Sequence, residues 1–486
     1  MNNILLAMSF NDIISEIDGW VWGWFLIILI LAAGIWLSIR TGFVQIFHLG
    51  KALKYMVKNE DDGEGEVTSF GALCTALSAT IGTGNIVGVA TAICLGGRGA
   101  LFWMLIAAFF GMATKYAEGF LAIKYRDRKE DGHYLGGPFY YIEKGMGKKW
   151  RWLGKLFALF SAVAGVLGIG TITQINGITS AINSFFDPNA SHIAFSLGEN
   201  SYTWATVAGG IVVTVCAALV IIGGIKRIAK FSEIIVPFMA ITYVVFVLII
   251  VISNIKAVPQ AVASIFSCAF TLKAVTGAGV GVTLKIVMQK GIGRGIFSNE
   301  AGLGSAPIAA AAAKTNDPVR QGLVTMTGTF IDTIIICTLT GLSIILTGAD
   351  TKFVEGSVEG VGITTIAWQD GLPWNQSVSS FILMLCLFFF AFTTILGWNY
   401  YGERCLEYLT DSKKAVTAYR YIYILAVFIG PYLTVSAVWN IADIFNGLMA
   451  FPNLVALFAL SGIVGKETRA YFAGKNYDLK QISKNK

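Results

Sequence analysis

The chain of 486 residues is 55% hydrophobic and only 13% charged, with a mean hydropathy of +0.67. An average soluble protein carries about 25% charged residues, so the composition excludes an ordinary soluble protein and predicts an all-α protein that crosses a lipid bilayer many times. The net charge of +7 does not indicate a nucleic-acid partner, because in such a protein the positions of the basic residues matter more than their sum.

The residue types that usually carry enzyme chemistry form no pattern in this sequence. The seven cysteines lie singly in or beside apolar stretches, which favours buried thiols over disulfides or a metal centre. The sequence contains no phosphate-binding loop, no Cys-x-x-Cys pair and no nucleophile elbow. The apolar patch at the N-terminus has no basic region before it, so no cleaved signal peptide is predicted. We therefore expect a protein that is not an enzyme.

Eleven apolar segments are long enough to cross a bilayer, which takes about 20 helical residues. They run approximately over residues 20 to 39, 69 to 96, 100 to 123, 152 to 185, 204 to 224, 229 to 253, 258 to 288, 320 to 347, 377 to 401, 419 to 435 and 437 to 464. After the first segment, the remaining ten form two sets of five that enter the membrane from opposite sides. The predicted parts are an extra N-terminal helix with a cytoplasmic loop (1 to 68), a first repeat (69 to 253), an inverted second repeat (254 to 464) and a cytoplasmic tail (465 to 486).

Basic residues predict the side of the membrane that each loop faces, because cytoplasmic loops are enriched in lysine and arginine. With the N-terminus outside, the inward segments hold 30 of the 36 lysines and arginines. These inward segments are 40 to 68, 124 to 151, 226 to 230, 285 to 320, 402 to 420 and 465 to 486. We expect a multi-pass protein of the inner or plasma membrane with its N-terminus outside and its C-terminus in the cytoplasm.

A first interrupted helix is predicted within residues 72 to 93. Six residues at its middle weaken a helix or leave backbone groups free: Ser78, Thr80, Gly82, Thr83, Gly84 and Asn85. An unpaired backbone group in hydrocarbon costs several kcal/mol, so a broken helix is expected only where it lines a cavity or meets a ligand. The amides of Thr83 and Gly84 would hold a carboxylate. Oxygen ligands for a hard cation such as Na⁺ would come from Thr80, Thr83 and Asn85.

A second interrupted helix is predicted within residues 258 to 288, whose middle, from 270 to 281, is rich in glycine and threonine. Close helix packing would explain one such segment, but a matched pair in two halves of a chain indicates a transporter site near the membrane midplane. The glycine-rich stretch from Gly291 to Pro307 is a competing candidate for the second helix break. Because only eight apolar residues, 306 to 313, follow it before Lys314, we place it as a cytoplasmic loop and short helix that gates or braces the inner mouth.

Two polar patches interrupt other predicted spans. The span 152 to 185 carries one that faces either a solute or another helix: Thr171, Thr173, Gln174 and Asn176. In the span 377 to 401, Thr393 and Thr394 precede Trp398. Thr394 and Trp398 are four residues apart and share a helix face, so a hydroxyl and an aromatic wall would close one pocket.

Charged residues inside predicted spans are rare and therefore informative. Lys115 and Glu118 lie three residues apart near the inner end of their span, where we expect them to pair or to reach the interface. Asp332 lies deeper in its span, and we interpret it as a candidate coupling residue that holds a cation or links helices.

Four motifs occur in order along nearly the whole chain: Thr83-Gly-Asn-Ile-Val-Gly-Val-Ala-Thr-Ala92, Gly111-Met-Ala-Thr-Lys-Tyr-Ala-Glu118, Gly136-Gly-Pro-Phe-Tyr-Tyr-Ile-Glu143 and Arg294-Gly-Ile-Phe-Ser-Asn-Glu-Ala-Gly-Leu-Gly-Ser-Ala-Pro307. Together they resemble the alanine or glycine:cation symporter family. The resemblance implies the leucine-transporter (LeuT) fold, with five-plus-five inverted repeats. It also implies sodium-coupled uptake of small neutral amino acids, chiefly alanine and glycine, with Na⁺ as the coupling ion.

The resemblance also implies roles for individual residues. The substrate carboxylate would lie on Thr83 and Gly84, with Asn85 bordering both the ion and the substrate. The break of the sixth core helix would fall at Phe270 and Thr271, although Lys273 departs from the usual uncharged residue there. The substrate pocket would be completed by Gln174, Asn176 and Trp398, the tryptophan limiting the substrate side chain to a small one. The sodium ion would lie among Thr393, Thr394 and the carbonyls of Ser78 and Ile81.

Two classes of function are consistent with these features. The first is a symporter that couples inward Na⁺ movement to uptake of alanine or glycine by alternating access, with glutamine or another neutral amino acid as the alternative substrate. The second is a channel or an amino-acid sensor that uses the same fold without coupled transport.

Overall fold

The computed structural model describes residues 10 to 58, 63 to 197, 200 to 271, 273 to 275, 281 to 352, 360 to 433 and 436 to 474. These residues form mainly helices: α1 (Phe10–Val21), α2 (Trp24–Thr41), α3 (Val44–Phe47), α4 (Leu49–Val57), α5 (Ser69–Thr80), α6 (Val89–Gly96), α7 (Gly99–Tyr125), α8 (Pro138–Tyr140), α9 (Arg151–Leu167), α10 (Ile172–Phe186), α11 (Trp204–Ile221), α12 (Gly224–Ser253), α13 (Val258–Phe270), α14 (Leu284–Asn299), α15 (Ala306–Ala310), α16 (Pro318–Thr329), α17 (Thr338–Leu346), α18 (Val361–Gly371), α19 (Gln376–Thr410), α20 (Lys413–Ile429) and α21 (Ser436–Phe472).

Short elements join these helices. Three π-helical turns are Gly84–Gly88, Tyr141–Gly145 and Phe330–Cys337, and 3-10 turns lie at Lys148–Trp150, Ile255–Ala257, Ala349–Lys352 and Gly430–Tyr432. The strands form three antiparallel two-stranded hairpins: β1 (Asp127–Arg128) with β2 (Tyr134–Leu135), β3 (Ile193–Leu197) with β4 (Asn200–Thr203), and β5 (Lys273–Val275) with β6 (Gly281–Thr283).

Eight helices within the described residues are long and apolar enough to cross a membrane, and the bent pair Ser69–Thr80 with Gly84–Gly96 makes nine if it counts as one span. This confirms a mostly helical, multi-pass membrane protein. The count of eleven spans and the orientation of the termini stay predictions.

Helix α7 lies at the centre of the bundle, because small residues let other helices approach its backbone closely. A Cβ atom on Gly119 would lie 2.4 Å from the hydroxyl of Thr325 in α16. A Cβ atom on Gly291 of α14 would lie 2.2 Å from the carbonyl oxygen of Ala100 in α7. The glycines of α7 and α14 therefore allow close packing of the helices that hold the site described below.

The interrupted helix predicted within residues 258 to 288 is not one span in the structure. The first part is the 13-residue helix α13, which packs against the start of α7, where Trp103 Nε1 donates to the carbonyl oxygen of Ala269 at 3.0 Å. The β5–β6 hairpin follows, and residues 276 to 280 of the predicted glycine-rich break lie outside the described residues. Hydropathy does not report where the chain turns, so it does not distinguish one long helix from a short helix followed by a hairpin.

The loop predicted from Gly291 to Pro307 is helical over most of its length, whereas the short helix predicted with it is present as α15. Residues 284 to 299 are the helix α14, and residues 300 to 305 form a buried break before α15. Lys290 and Arg294 therefore lie within a helix and not in a loop. The second interrupted helix therefore consists of α14 and α15, and its glycines serve close packing and the break.

The ends of the two interrupted helices on the predicted cytoplasmic side are joined by backbone pairing. The amides of Glu66 and Val67 donate to the carbonyl oxygen of Ala312 at 2.8 and 3.2 Å, and the amide of Lys314 donates to that of Val67 at 2.8 Å. The side chain of Arg126, at the end of α7, donates at 2.7 to 2.8 Å to four backbone carbonyl oxygens, those of Glu64, Ala311, Ala313 and Thr315.

An ionic cluster extends this junction to α19. Glu66 accepts from the backbone amide of Tyr134 at 2.9 Å and lies 3.4 Å from Arg404 of α19. Arg404 pairs with Glu407 at 2.9 Å, and His133 Nε2 lies 2.7 Å from the same carboxylate. The hydrogen bond to Glu407 raises the pKa of His133 above its usual value. The inner ends of α5, α7, α15 and α19 are thus held as one unit.

We expect the substitution Arg126→Lys to destabilise the protein by about 2 kcal/mol or more. A lysine ammonium carries three donors on one atom and cannot reach four separated carbonyl oxygens, so buried acceptors lose their partner. The measurement is the apparent melting temperature of the purified protein in detergent.

The matched control is Arg128→Lys, because the Arg128 side chain is 61% exposed and lies 3.7 Å from its partner Glu64, a geometry that contributes little. Equal melting temperatures for the two variants would contradict the role given to Arg126.

Candidate functional site

Two breaks in buried helices face each other in the middle of the bundle. The first lies between α5 and the π-helical turn Gly84–Gly88, where the axis bends by 54°. The second lies between α14 and α15, where Glu300 adopts a left-handed conformation with φ 55°. A Cβ atom on Gly84 would lie 3.3 Å from Ser298 Cα, so the helices touch beside their breaks. A side chain at position 84 would push the two helices apart by a few tenths of an ångström.

Amide side chains satisfy the backbone of the first break. The amide of Gly82 donates to Asn85 Oδ1 at 2.9 Å, and the amide of Thr83 donates to Gln174 Oε1 at 3.2 Å. The carbonyl oxygen of Ile81 accepts from Thr394 Oγ1 at 3.3 Å. Gln174 Oε1, a neutral oxygen from α10, thus occupies the position beside the Thr83 amide at which the sequence analysis predicted a carboxylate.

Carboxylates satisfy the second break. Glu118 Oε1 accepts from the amides of Gly302 and Gly304, each at 3.2 Å. Glu300 Oε1 accepts from Trp398 Nε1 at 2.9 Å, and its other oxygen accepts from the hydroxyl of Ser305. The two carboxylates hold the break against α7 on one side and α19 on the other.

A third buried carboxylate, Asp332, joins both interrupted helices to the π-helical turn in which it lies. Its Oδ1 accepts from Asn85 Nδ2 at 2.7 Å, and its Oδ2 accepts from Ser298 Oγ at 2.9 Å and Thr333 Oγ1 at 2.6 Å. Asn299 Nδ2 donates to Thr333 Oγ1 at 3.0 Å. The cluster offers a full negative charge and several hydroxyl and amide oxygens, which suits a hard monovalent or divalent cation.

The predicted sodium ligands lie where α19 crosses α5. Thr394 Oγ1 contacts the Ile81 carbonyl, and a Cβ atom on Gly397 would lie 2.8 Å from Ser78 Oγ. Thr393 instead directs its hydroxyl to Met239 Sδ of α12 at 3.5 Å. Both hydroxyls also donate to the Phe390 carbonyl at 3.0 Å. Thr394 therefore contacts Ile81, whereas Thr393 faces α12.

Some predicted substrate residues lie at the breaks and others do not. Gln174 contacts Thr83, whereas Asn176 Nδ2 donates to the carbonyl of Gly430 at 3.0 Å on another face of α10. Thr80 donates to carbonyls of its own helix. Trp398 is fully buried and bonded to Glu300, so it forms a fixed wall beside the second break.

Phe270 and Thr271 do not lie at the second break. The Phe270 side chain is 58% exposed and its ring packs against Phe102 and Trp103 on the outer surface of α7. Thr271 bonds back to the carbonyl of Ser267 at 2.6 Å. The break that contacts Gly84 starts at Glu300, so the break that the resemblance assigns to Phe270 and Thr271 lies elsewhere in the structure.

Sequence reasoning missed several residues of the second break. These are Ser298, Asn299, Glu300, Gly302, Gly304 and, facing them from α7 and α21, Glu118 and Asn453. The signal was present as the polar and glycine-rich run 298 to 305, which lies between the mixed apolar and basic residues 284 to 297 and the apolar residues 306 to 313. Testing 284 to 313 as one interrupted span would have found them.

Buried, interrupted helices with oxygen-rich breaks are the architecture of a transporter of the LeuT fold. The fold matches that of MhsT, solved in complex with L-phenylalanine, with a TM-score of 0.57 at 12% identity over 84% of this chain and 99% of that one. The chain belongs to the sodium:alanine symporter family, whose model matches residues 7–485.

Two relatives match nearly end to end. An uncharacterized transporter of Haemophilus influenzae is 49% identical over 480 residues, covering 98% of this chain and 100% of that protein. The sodium/alanine symporter AgcS of Methanococcus maripaludis is 46% identical over 472 residues, covering 96% of this chain and 98% of that protein.

We expect Gly397→Ala to lower the apparent melting temperature in detergent, because the new Cβ would lie 2.7 Å from Ala79 Cβ and 2.8 Å from Ala79 N. Helix α5 must then move away from α19, and the site loses its geometry. The control is Gly328→Ala, whose nearest neighbour lies at 3.7 Å. Alanine favours a helix over glycine by about 1 kcal/mol, so this control should melt at the same temperature or higher. A Gly397→Ala protein as stable as the control would show that the two helices are not in tight contact.

Proposed function

We propose that this chain is a secondary active symporter that couples inward movement of Na⁺ to the uptake of small neutral amino acids, alanine and glycine, by alternating access. The observation that carries the proposal is the position of Asn85. Its oxygen accepts from the Gly82 amide in the first break, and its nitrogen donates to Asp332 in the carboxylate cluster. One side chain thus connects the place proposed for the substrate with the place proposed for a cation.

The first break supports binding of a substrate carboxylate. The Thr83 amide already donates to a side-chain oxygen, that of Gln174, and a charged carboxylate is a stronger acceptor than a neutral amide. The amide lies just before a helical turn, where the helix dipole favours negative charge. We infer that the substrate carboxylate takes this position beside Thr83 and Gly84, and that Gln174 moves to bond the substrate.

Two places in the site support cation binding. The Ile81 carbonyl with the hydroxyl of Thr394 provides uncharged oxygen ligands, and the carboxylate of Asp332 provides a charged one. Na⁺ accepts such oxygen donors readily. We assign the first place to the coupling Na⁺ and the second to a further cation that contributes to coupling.

The fixed wall of Trp398 supports a small substrate. A Cβ atom on Gly170 of the α9–α10 bend would lie 2.4 Å from Trp398 Cβ, and the Trp398 indole is bonded to Glu300. The indole therefore has little room to move aside for a long side chain. The name of the Methanococcus maripaludis relative, a sodium/alanine symporter, agrees with this choice over glutamine. We further propose that the chain is built from two inverted repeats, residues 69 to 253 and 254 to 464, with its N-terminus outside.

Uptake of labelled L-alanine into proteoliposomes tests the proposed function. With an inward Na⁺ gradient, alanine should accumulate above its outside concentration, and with choline in place of Na⁺, or with equal Na⁺ on both sides, it should not. Equilibration at the same rate with and without the gradient would indicate a channel. Absence of flux together with alanine binding would indicate a sensor, and faster accumulation of glutamine than of alanine would make glutamine the substrate.

Two neighbouring threonines give a matched test of the sodium site. We expect Thr394→Val to raise the Na⁺ concentration for half-maximal uptake about tenfold, because loss of one hydroxyl ligand to a cation costs about 1.4 kcal/mol or more. Thr393→Val, whose hydroxyl faces Met239, should change it much less, and the double substitution should resemble Thr394→Val. The reverse order, or an unchanged Na⁺ dependence in both variants, would place the ion elsewhere.

A further inference from the structure

The hairpin β1–β2 presents His133 to the inner end of α19. Its turn is tight: the amide of Lys129 donates to the carbonyl oxygen of His133, and the amide of Gly132 donates to that of Lys129, each at 2.9 Å. Gly132 has a φ of 84°, a conformation that glycine adopts without strain. The side chain of His133 is 17% exposed and lies against Glu407. The hairpin and the helix together therefore set the position of the imidazole ring.

Both ring nitrogens of His133 face a carboxylate. Nδ1 contacts Asp131 in the turn of the hairpin, and Nε2 lies 2.7 Å from Glu407 Oε1. A neutral imidazole has one N–H group and a lone pair on its other nitrogen, whereas an imidazolium has two N–H groups. Only the protonated ring can face two carboxylates without bringing a lone pair against a negative charge. The geometry therefore fits the imidazolium.

The charges around this contact favour the same protonation state. They come from the hairpin, α19 and α20: Lys129, Asp131, Arg404, Glu407, Asp411 and Lys413. Arg404 lies 2.9 Å from Glu407, and Lys413, whose side chain is 90% exposed, lies 3.4 Å from Asp131. Glu407 raises the pKa of His133 above its usual value, and this effect outweighs burial and the positive charge of Arg404, which lower it.

The same hairpin holds the junction between the two interrupted helices. The backbone amide of Tyr134, the residue after His133, donates to Glu66 at 2.9 Å. Arg126, the residue before β1, bonds the four carbonyl oxygens of the junction, and its guanidinium lies 4.3 Å from the centre of the Tyr134 ring. The contact between His133 and Glu407 thus joins the junction to α19 through one titratable group.

Opening of the junction changes the surroundings of His133. In an alternating-access cycle, release of the substrate into the cell requires the inner ends of the interrupted helices to move away from the helices packed on them. A solvated histidine has a pKa of about 6.5, whereas the carboxylates of the closed junction raise the pKa of His133. The contact therefore stabilises the closed junction fully below about pH 6.5, and this stabilisation is lost as the pH rises through the raised pKa.

We propose that His133 is a cytoplasmic pH sensor, which clasps the closed inner junction to α19 when it is protonated and releases the junction when the cytoplasm becomes more alkaline. Opening then releases a proton from His133 to the cytoplasm, and the rate of uptake depends on the internal pH. The sensor is separate from the substrate and sodium positions, so it regulates transport without supplying a ligand. This inference rests on the proposed function, since it concerns the movement that delivers the substrate.

Alanine uptake into right-side-out membrane vesicles tests the sensor, with the internal pH varied and the external pH and Na⁺ gradient held constant. As the internal pH is raised from about 6 to about 8, on either side of the usual histidine pKa, the wild-type initial rate should rise about threefold, the size expected for a partly exposed ion pair. His133→Gln should keep a high rate that does not depend on the internal pH, because glutamine cannot gain a charge. Asp131→Asn should shift the rise to lower pH, because one of the two carboxylates is lost.

The matched control is His192→Gln. His192 also lies beside an aspartate, Asp187, at 3.6 Å, but its side chain is 78% exposed and it precedes the hairpin β3–β4. The same chemical change there should leave the dependence on internal pH as in the wild type. Wild-type uptake that does not respond to the internal pH, a response retained in His133→Gln, or a response to the external pH alone would overturn the inference and leave the proposed function intact.

An NMR titration of the protein in detergent gives a second measurement, which needs neither transport nor the His133→Gln variant. The chain contains three histidines, so labelling their imidazole carbons gives three resonances, and the one that shifts in Asp131→Asn belongs to His133. Its titration midpoint should lie above about pH 6.5 in the wild type and at lower pH in Asp131→Asn. A wild-type midpoint at or below about pH 6.5 would overturn the inference. Absence of Na⁺-dependent alanine uptake at every internal pH would instead overturn the proposed function.

Discussion

The structure depends on one constraint: a backbone group that leaves a helix inside the membrane must find another partner. Two helices are broken in the middle of the bundle, and each break is satisfied by side chains from its neighbours. Gln174 and Asn85 serve the first break, and Glu118 serves the second. The partners determine what each break can still bind, so the hydrogen bonds around the breaks are the basis of the substrate recognition proposed above.

The same constraint explains why so many polar side chains are buried in one region. Asp332 accepts from Asn85 of one interrupted helix and from Ser298 of the other. Glu300 connects the second break to Trp398 of α19, and Thr394 of the same helix contacts the first break at Ile81. Movement of either interrupted helix therefore changes contacts at the proposed substrate and ion positions together, which is the physical requirement for coupling one to the other.

The first break could be predicted from the sequence because its polar residues, 78 to 85, interrupt a run that is otherwise apolar on both sides. Thr394 and Gln174, which contact the first break, could be singled out for the same reason, since polar groups stand out within a span. The sodium role proposed for Thr394 came from the family resemblance. The second break was misplaced because Lys290 and Arg294 resembled a cytoplasmic loop and α15 is only five residues long. Neither hydropathy nor loop charge reports that a helix with several basic residues packs closely against α7.

Asn176 and Glu118 illustrate a different limit of sequence reasoning. The polar patch from 171 to 176 had two interpretations, and only the direction of each side chain around α10 separates Gln174, which faces Thr83, from Asn176, which faces Gly430. Glu118 was expected to pair with Lys115 or to reach the interface. Its bonds to the amides of Gly302 and Gly304 could not be predicted, because they join residues far apart in sequence. Contacts of this kind follow from tertiary packing and cannot be derived from spacing along one helix.

The most direct test of the central claim is a structure of the protein with L-alanine and Na⁺ bound. The account predicts the alanine carboxylate within hydrogen-bond distance of the Thr83 amide, about 2.7 to 3.2 Å, in the place of Gln174 Oε1. Alanine bound elsewhere, for example in the cavity of about 70 Å³ lined by Ser184 and Gln369, with the Thr83 amide still bonded to Gln174, would contradict it.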